Sequence, residues 1–237
     1  MKNILISVLA LLAFMIMSST AIAQGAWNDL YIKAGVGVAS GIDNDGTIGD
    51  LADPPDQVDF DFGESTAYQL GAGYLVNDWF TAELSLQQNS GFDLEGPYTD
   101  DGTPAAGVNG KVDLETTSIM LVGQVDMASV LKKSWKTRPY VGLGIGYAKN
   151  KVGKFTFSPP VDENIAGNTE SGFAWKATFG AIYPINEQFT FDASYSYADY
   201  GEAKSSRSAN DGTVTLNSPL TFDVKAHELL LSVRYLF

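Results

Sequence analysis

His227 is the only histidine of the chain, so any histidine-dependent catalytic site must include it. Such a site needs a nucleophile, a carboxylate or another base within hydrogen-bonding reach of the imidazole. Ser232 follows five positions later, in a segment where apolar residues recur at every second position. In an extended strand this odd spacing places the two side chains on opposite faces. We therefore predict no catalytic residues and no enzymatic activity.

Acidic residues are concentrated in residues 41–64, which contain no Lys or Arg. Carboxylates are the ligands that Ca²⁺ and Mg²⁺ prefer, and Asp43, Asp45 and Asp50 are the candidates for a weak divalent-cation loop. The run from Asp43 to Gly46 resembles the start of an EF-hand, but the glycine comes too early and no later Glu completes the spacing. The alternative is a solvated acidic loop, and we predict no dedicated metal site.

Six charged residues share alternating positions with glycine, serine and other small or polar residues. They are Lys33, Glu83, Lys176, Asp192, Glu228 and Arg234. Three are basic and three are acidic, and buried charges are costly unless they are paired. An enclosed polar face of this kind could form a charged constriction in a pore. It could also form a hydrogen-bonded network that fills the interior, and we favour the network.

Eight segments of alternating apolar and polar residues carry these positions. They lie at about 29–40, 65–76, 80–90, 113–125, 139–149, 172–183, 189–199 and 222–237. A period of two over eight segments predicts an all-β, eight-stranded antiparallel barrel. Asp192 and Arg234 each lie three residues from the end of neighbouring segments, so we predict that they are partners.

Bulky and aromatic residues share one face of these segments, and small or polar residues share the other. A secreted lipocalin-like barrel would enclose the bulky face, whereas a membrane barrel would turn it outward. The interior of a small closed barrel is only wide enough for side chains to fill it, so it cannot hold all these rings. The sequence therefore predicts a transmembrane barrel with its aromatic residues in lipid.

The N-terminus and the composition indicate export. Residues 1–23 contain Lys2, an apolar run and the small residues of a cleavage site, Ala21-Ile22-Ala23. This pattern predicts a signal peptide and a mature barrel domain of residues 24–237. The net charge of −13 argues against nucleic acid as a partner, and the absence of cysteine excludes thiol chemistry and disulfides. We predict no cofactor.

The connections between the predicted strands alternate in length. Short turns follow the second and sixth strands, and a longer basic connection at 126–138 is interpreted as a solvated periplasmic turn. Long connections rich in Asp, Gly, Asn, Pro and Ser lie at 41–64, 91–112, 150–171 and 200–221. This asymmetry is typical of outer-membrane barrels with three short periplasmic turns and four long extracellular loops. We expect residues 43–62 to be dispensable for folding, because they show no apolar periodicity.

The chain resembles the small outer-membrane β-barrels of Gram-negative bacteria, related to opacity-type surface proteins and to the transmembrane domain of outer membrane protein A. The resemblance rests on the strand segments 138–147 and 191–197 and on the final residues Arg234-Tyr235-Leu236-Phe237. It implies that Tyr235 and Phe237 are an assembly signal read by the barrel-assembly machinery. It also implies contact with outer-membrane lipid and lipopolysaccharide, and with an extracellular ligand through the loops.

Three functions are compatible with such a barrel. The first is a surface protein of the cell outer membrane with a structural, adhesin-like or opacity-like role and a largely filled lumen. The second is a narrow porin or channel for small solutes. The third, a lipid-modifying envelope enzyme, lacks a recognisable set of catalytic residues. We predict the first.

Overall fold

The computed structural model describes residues 29–48, 56–100, 103–158 and 163–237. The strands in chain order are β1 (Leu30–Gly41), β2 (Asn44–Ile48), β3 (Asp56–Phe62), β4 (Glu64–Leu75), β5 (Phe80–Asp100), β6 (Thr103–Asp126), β7 (Arg138–Val152), β8 (Phe155–Phe157), β9 (Asn164–Ile165), β10 (Asn168–Pro184), β11 (Phe189–Lys204), β12 (Ser208–Ala209), β13 (Val214–Thr215) and β14 (Leu220–Leu236). The proposed signal peptide, residues 1–23, lies outside the described ranges.

Eight of these strands close into an antiparallel barrel. Its order is β1, β4, β5, β6, β7, β10, β11 and β14, and β14 pairs back onto β1. The closing register runs from Tyr31 opposite Leu236 to Gly41 opposite Ala226. The N–H of Phe237 also donates to Leu30 O at 3.1 Å. Closure pairs the strand edges that would otherwise leave backbone groups unsatisfied in hydrocarbon, and all eight predicted strands are confirmed.

Two short turns share one sequence pattern, an Asn followed three positions later by Phe. Asn77 Oδ1 accepts hydrogen bonds from the N–H groups of Trp79 and Phe80. Asn186 Oδ1 repeats this arrangement by accepting from the N–H groups of Gln188 and Phe189. An Asn side chain that mimics a backbone turn in this way fixes a tight reversal. These short turns mark the periplasmic rim of the barrel.

The outward face of the barrel carries a continuous apolar band. Val36, Leu84, Leu143, Phe173 and Leu231 are among the large side chains on it that are about half exposed or more. Towards the opposite rim the outward residues become polar on every strand, at Ser40, Thr66, Gln88, Thr117, Lys149, Ser171, Asp199 and Lys225. The predicted outward orientation of the apolar residues is confirmed. No helix among the described residues is long and apolar enough to cross a membrane.

Beyond the polar rim the sheet continues instead of giving way to loops. β5 and β6 stay paired as far as Asp100 opposite Thr103, with one register shift after Pro97. The β2–β3 hairpin pairs on one side with β14 and on the other with β5, while β8 pairs with β6 and β9 with β12. We call this part, above the polar rim, the extracellular extension. The four long connections predicted at this end of the barrel are therefore largely strand in the described ranges.

The interior of the extracellular extension is apolar. Phe60, Phe92, Phe155 and Phe222 are buried there and lie against one another or against Phe62, with ring centroids 5.3–6.4 Å apart. Water surrounds this part of the chain, so the hydrophobic effect drives its apolar side chains inward. At membrane level the outside is lipid, and the polarity of the two faces is reversed.

The acidic segment 43–62 contributes to this core. Val58, Phe60 and Phe62 alternate along β3, and all three are buried. The expectation that the segment has no apolar periodicity is wrong, because Asp59 and Asp61 occupy the positions between them and obscure the pattern. β3 is therefore part of the folded sheet.

Candidate functional site

All six predicted interior charges are buried inside the barrel at membrane level. Lys33 Nζ lies 2.6 Å from Glu83 Oε1 and 3.9 Å from Asp192 Oδ2. Arg234 Nε donates to the same Asp192 oxygen at 2.9 Å. Gln124 links the two pairs, since its amide donates to Glu83 at 3.3 Å and accepts from Arg234 at 3.1 Å. Two positive and two negative groups thus form a neutral cluster, the lower network, near the periplasmic end.

Two tyrosines complete the lower network. Tyr31 Oη donates to Glu83 at 2.6 Å, and Tyr140 Oη donates to Asp192 at 3.0 Å. The guanidinium carbon of Arg234 lies 4.9 Å from the centroid of the Tyr31 ring and 5.4 Å from that of Tyr140. Each carboxylate therefore receives both a cation and a hydroxyl donor, which is the condition under which buried charges are tolerated.

A second cluster, the upper network, lies closer to the extracellular side. Glu228 Oε1 accepts hydrogen bonds from Tyr200 Oη, from Gln87 Nε2 at 2.6 Å and from Asn89 Nδ2 at 3.1 Å. Lys176 Nζ donates to Gln87 Oε1 at 3.4 Å. The amide of Gln87 thus stands between the ammonium and the carboxylate, and no salt bridge joins Lys176 to Glu228 in the part of the chain that the structure describes.

The upper network is less completely satisfied than the lower one. Glu228 Oε2 is buried without a hydrogen-bond partner in the described ranges, and so is Oε1 of Gln69, which stands opposite Gln87 on the neighbouring strand. The sequence predicts direct pairing from balanced signs alone, and this holds for Lys33 with Glu83 and for Asp192 with Arg234. Lys176 and Glu228 do not pair directly, because the amide of Gln87 binds both of them.

Sequence reasoning missed the neutral members of both networks. Tyr31, Gln87, Gln124, Tyr140 and Tyr200 are all buried in the interior. Their position could have revealed them, since each stands an even number of residues from an inward residue of its own strand. The aromatic rings were instead assigned to the outside on grounds of volume. Glycine explains why two of them fit: Gly73 faces the Tyr31 ring and Gly180 faces the Tyr140 ring.

Substitution of Gly180 by alanine is expected to loosen the lower network. A Cβ at this position would lie 2.5 Å from Tyr140 Cζ, so the ring must move away from Asp192. Overpacking of this kind costs about 1–3 kcal/mol. Gly172→Ala, on the same strand, is the matched control, because a Cβ there meets nothing within 4 Å. Thermal unfolding in detergent compares them, and equal stability of the two variants would contradict the proposed contact.

His227 faces outward, as predicted from its parity, and lies near the polar rim. Its Nδ1 is 2.7 Å from Tyr195 Oη, and its ring stacks on Tyr195 at 5.8 Å. Tyr197 meets the imidazole edge-on at 5.6 Å. The partners of the imidazole are therefore aromatic rings on the lipid-facing surface, while Ser232 is buried on the other face.

The candidate cation ligands are not gathered into one site by the described residues. Asp43 Oδ1 accepts a hydrogen bond from the Phe62 N–H at 2.9 Å, which fixes the start of the β2–β3 hairpin. Asp45 is exposed and stands opposite Asp59. Asp50 lies outside the described ranges. Within those ranges no three carboxylate or histidine side chains meet as they would around a metal ion.

The outer face of the extracellular extension is strongly acidic across β3, β5 and β6. Asp61 stands opposite Glu95, and Asp93 stands opposite Asp113. Partial burial and the facing Asp93 carboxylate raise the pKa of the Asp113 carboxyl. Like charges placed directly across a sheet are destabilising. We call these four exposed residues the acidic face. They lie on the outer side of the sheet whose inner side packs the apolar core.

Comparison with known proteins gives one consistent result. The family model described as outer membrane protein beta-barrel domain matches residues 9–237. A Rickettsia canadensis protein, named as a candidate adhesin, is 24% identical over 99% of each chain. Outer membrane protein PagN of Salmonella typhimurium is 26% identical over 85% of this chain and 83% of its own. The crystal structure of OprG from Pseudomonas aeruginosa superposes with a TM-score of 0.56 at 18% identity, over 91% of this chain and 99% of that one.

Proposed function

Because the chain belongs to the outer membrane protein β-barrel domain family, and is therefore an outer-membrane protein, we propose that it acts as an adhesin-like surface protein. In this role the barrel is an anchor, and the extracellular extension presents a binding surface to partners outside the cell. The relatives named as candidate adhesins support the proposal.

The observation that carries the proposal is the position of the aromatic core. Phe60, Phe92, Phe155 and Leu220, each less than 2% exposed, fill the interior above the membrane. Below them the two charge networks fill the membrane-level lumen. A channel needs a continuous aqueous path, and a packed core is incompatible with one. Because the interior is packed, only the outer surface of the extension is available for binding a partner.

That face favours a partner with a basic surface. Asp61, Asp93, Glu95 and Asp113 lie next to one another on adjacent strands, with one lysine, Lys111, opposite Glu95. Four carboxylates outnumber this single cation, so their mutual repulsion is relieved when a further cationic group approaches. A rigid β-sheet also holds the four carboxylates in fixed positions, so little conformational entropy is lost on binding. We propose no catalytic role, since His227 faces aromatic rings at the lipid-facing surface.

The remaining partners in this proposal belong to the envelope. Lipopolysaccharide would meet the outward polar rim, where Lys149 and Lys225 project from the barrel. The barrel-assembly machinery would read Tyr235 and Phe237, whose rings pack at 5.2 Å beside the closing strand pair. Both contacts are expected of a barrel that must insert from the periplasm and then face the outer leaflet.

The proposal is tested by adhesion of cells that display the protein. Wild-type cells should bind host cells or matrix above the level of cells without it. The variant with Asp61→Asn, Asp93→Asn, Glu95→Gln and Asp113→Asn should bind about tenfold more slowly, because electrostatic steering is lost. The variant with Lys151→Gln and Lys154→Gln removes exposed positive charges instead and serves as the matched control, which should not bind more slowly than the wild type.

Conductance in a planar bilayer gives an independent outcome. The wild-type barrel should stay at background, because the aromatic core and the networks fill its interior. Steady conductance of the wild-type protein, or adhesion no greater than that of cells lacking it, would overturn the surface role. A changed lipid A profile on expression would instead indicate an envelope enzyme.

A further inference from the structure

The connection between β6 and β7, residues 126–138, has defined local structure. Met127–Val130 form one helical turn, and Asp126 caps it by accepting the Ser129 N–H at 2.9 Å. Arg138 Nε then closes the connection with a 2.6 Å ion pair to the other Asp126 oxygen. We call this element the periplasmic connection. This ion pair joins the first and last residues of the connection and so restrains the segment between them.

The end of the helical turn projects lysines outward. Lys132 adopts a left-handed conformation, with φ of 52°. The N–H of Lys133 reaches back to Ala128 O at 2.8 Å, which completes the C-terminal cap. Residues 130–137 are all exposed, whereas Ala128 is buried beneath them. The periplasmic connection therefore presents a fixed exposed surface.

That surface combines apolar side chains with lysines that form no salt bridge among the described residues. Val130, Leu131 and Trp135 are each about half exposed, at 47–51%. Lys132, Lys133 and Lys136 have no carboxylate within salt-bridge distance in the described part of the chain. The chain as a whole carries a net charge of −13, so this basic cluster stands against the general composition.

The location of the surface indicates what covers it. Lys136 Nζ lies 4.7 Å from the centroid of the Tyr183 ring. Tyr183 is on the lipid-facing side of β10 at the periplasmic rim, one residue before the strand ends. Lys136 of the periplasmic connection thus reaches the outer side of the barrel, at the rim where aromatic rings such as Trp79 and Phe189 are exposed.

We propose that the periplasmic connection binds anionic phospholipid headgroups of the inner leaflet. Trp135, Leu131 and Val130 lie in the boundary between headgroups and acyl chains, which is where exposed aromatic and aliphatic side chains of interfacial segments reside. The three lysines meet the lipid phosphates. Anionic lipid attracts such lysines, each of which contributes on the order of fivefold to local enrichment at low salt. This inference does not depend on the extracellular role.

Quenching of Trp135 by brominated lipids tests the proposal. The full-length barrel carrying Trp27→Phe, Trp79→Phe and Trp175→Phe retains Trp135 as its sole tryptophan. It is folded into phosphatidylcholine vesicles that contain either brominated phosphatidylglycerol or brominated phosphatidylcholine at equal mole fraction. Phosphatidylglycerol should quench several-fold more, and added salt should reduce the difference. Heat-modifiable migration in SDS gels confirms that each variant is folded.

A lysine-to-glutamine triple variant identifies the groups responsible. Lys132→Gln, Lys133→Gln and Lys136→Gln together should bring the quenching ratio of the two lipids close to unity. The matched control is Lys151→Gln, Lys154→Gln and Lys204→Gln at the opposite end of the barrel, and it should leave the ratio unchanged. Equal quenching by both lipids in the parent, or no quenching at all, would overturn the proposal. The second result would mean that Trp135 faces the periplasm, as expected if a periplasmic protein covered this surface.

Discussion

Asp192→Ala is expected to lower the free energy of unfolding by about 3–5 kcal/mol, the usual cost of removing one partner of a buried ion pair. Asp192 accepts from Arg234 and Tyr140 and lies 3.9 Å from Lys33. Without it, Arg234 keeps only Gln124 as a hydrogen-bonding partner among the described residues. The midpoint of heat-modifiable migration in SDS gels, or urea unfolding in detergent, measures the loss.

The double variant separates an orphaned charge from lost packing. Adding Arg234→Ala to Asp192→Ala removes the uncompensated guanidinium, so part of the stability should return even though contacts with two tyrosine rings are lost. Asp223→Ala is the control, because its ion pair with Lys225 is exposed and such pairs contribute little. A double variant no more stable than the single one would show that Arg234 is not the cause.

Phe60→Ala should unfold the extracellular extension while leaving the membrane-level barrel intact. The ring packs against Phe155 at 6.1 Å and Phe222 at 5.3 Å, and truncation of a buried Phe costs about 3–5 kcal/mol. The membrane-level strands are stabilised separately by their own pairing and by lipid. Protease added outside intact cells should cut the variant in the extension, while the remaining barrel still migrates as folded in unboiled gels.

Asp59→Ala is the matched control for this experiment. Asp59 is the residue before Phe60 on the same strand, and its side chain is exposed on the other face. Protease resistance should therefore match that of the wild type. Two results would contradict a stabilising role of Phe60 in the extension. One is cleavage of both variants at the same rate, and the other is full protection of Phe60→Ala.

The eight membrane strands could be predicted because lipid imposes a simple rule on them. Segments such as 139–149 and 222–237 alternate without interruption, and β7 and β14 extend them by only a few residues. The ion pair between Asp192 and Arg234 followed from the same alternation plus strand adjacency. Where one face of a strand meets hydrocarbon along its whole length, the period of two is enough to predict the strand and the direction of each side chain.

The extracellular extension was harder to predict for two physical reasons. The polarity of the two faces inverts at the outer interface, so a search for outward apolar residues fails above it. In addition, β5 and β11 contain bulges at which the register shifts, next to Gly91 and Gly201 with φ of 82° and 73°. A bulge inserts one residue and moves every later side chain to the other face. Asn89 and Phe92 are three residues apart, so in a regular strand they would face opposite sides. Because of the bulge, both point inward.

The upper network shows a different limit of sequence reasoning. Counting charges predicts only that the interior charges pair, whereas distance across the lumen decides whether Lys176 and Glu228 meet. Gln87 lies between them and can donate to one and accept from the other, which is a property of amides that charge counting ignores.

The alternation of faces in the extracellular extension separates two kinds of position that evolve under different rules. Phe60, Phe92 and their neighbours must fit a shared core, so a replacement at one requires a change at another. Asp59, Asp61 and Asp93 are exposed on the other face and take no part in that core. Substitutions at every second residue can therefore change the charge and shape of this surface while the buried residues keep the same core.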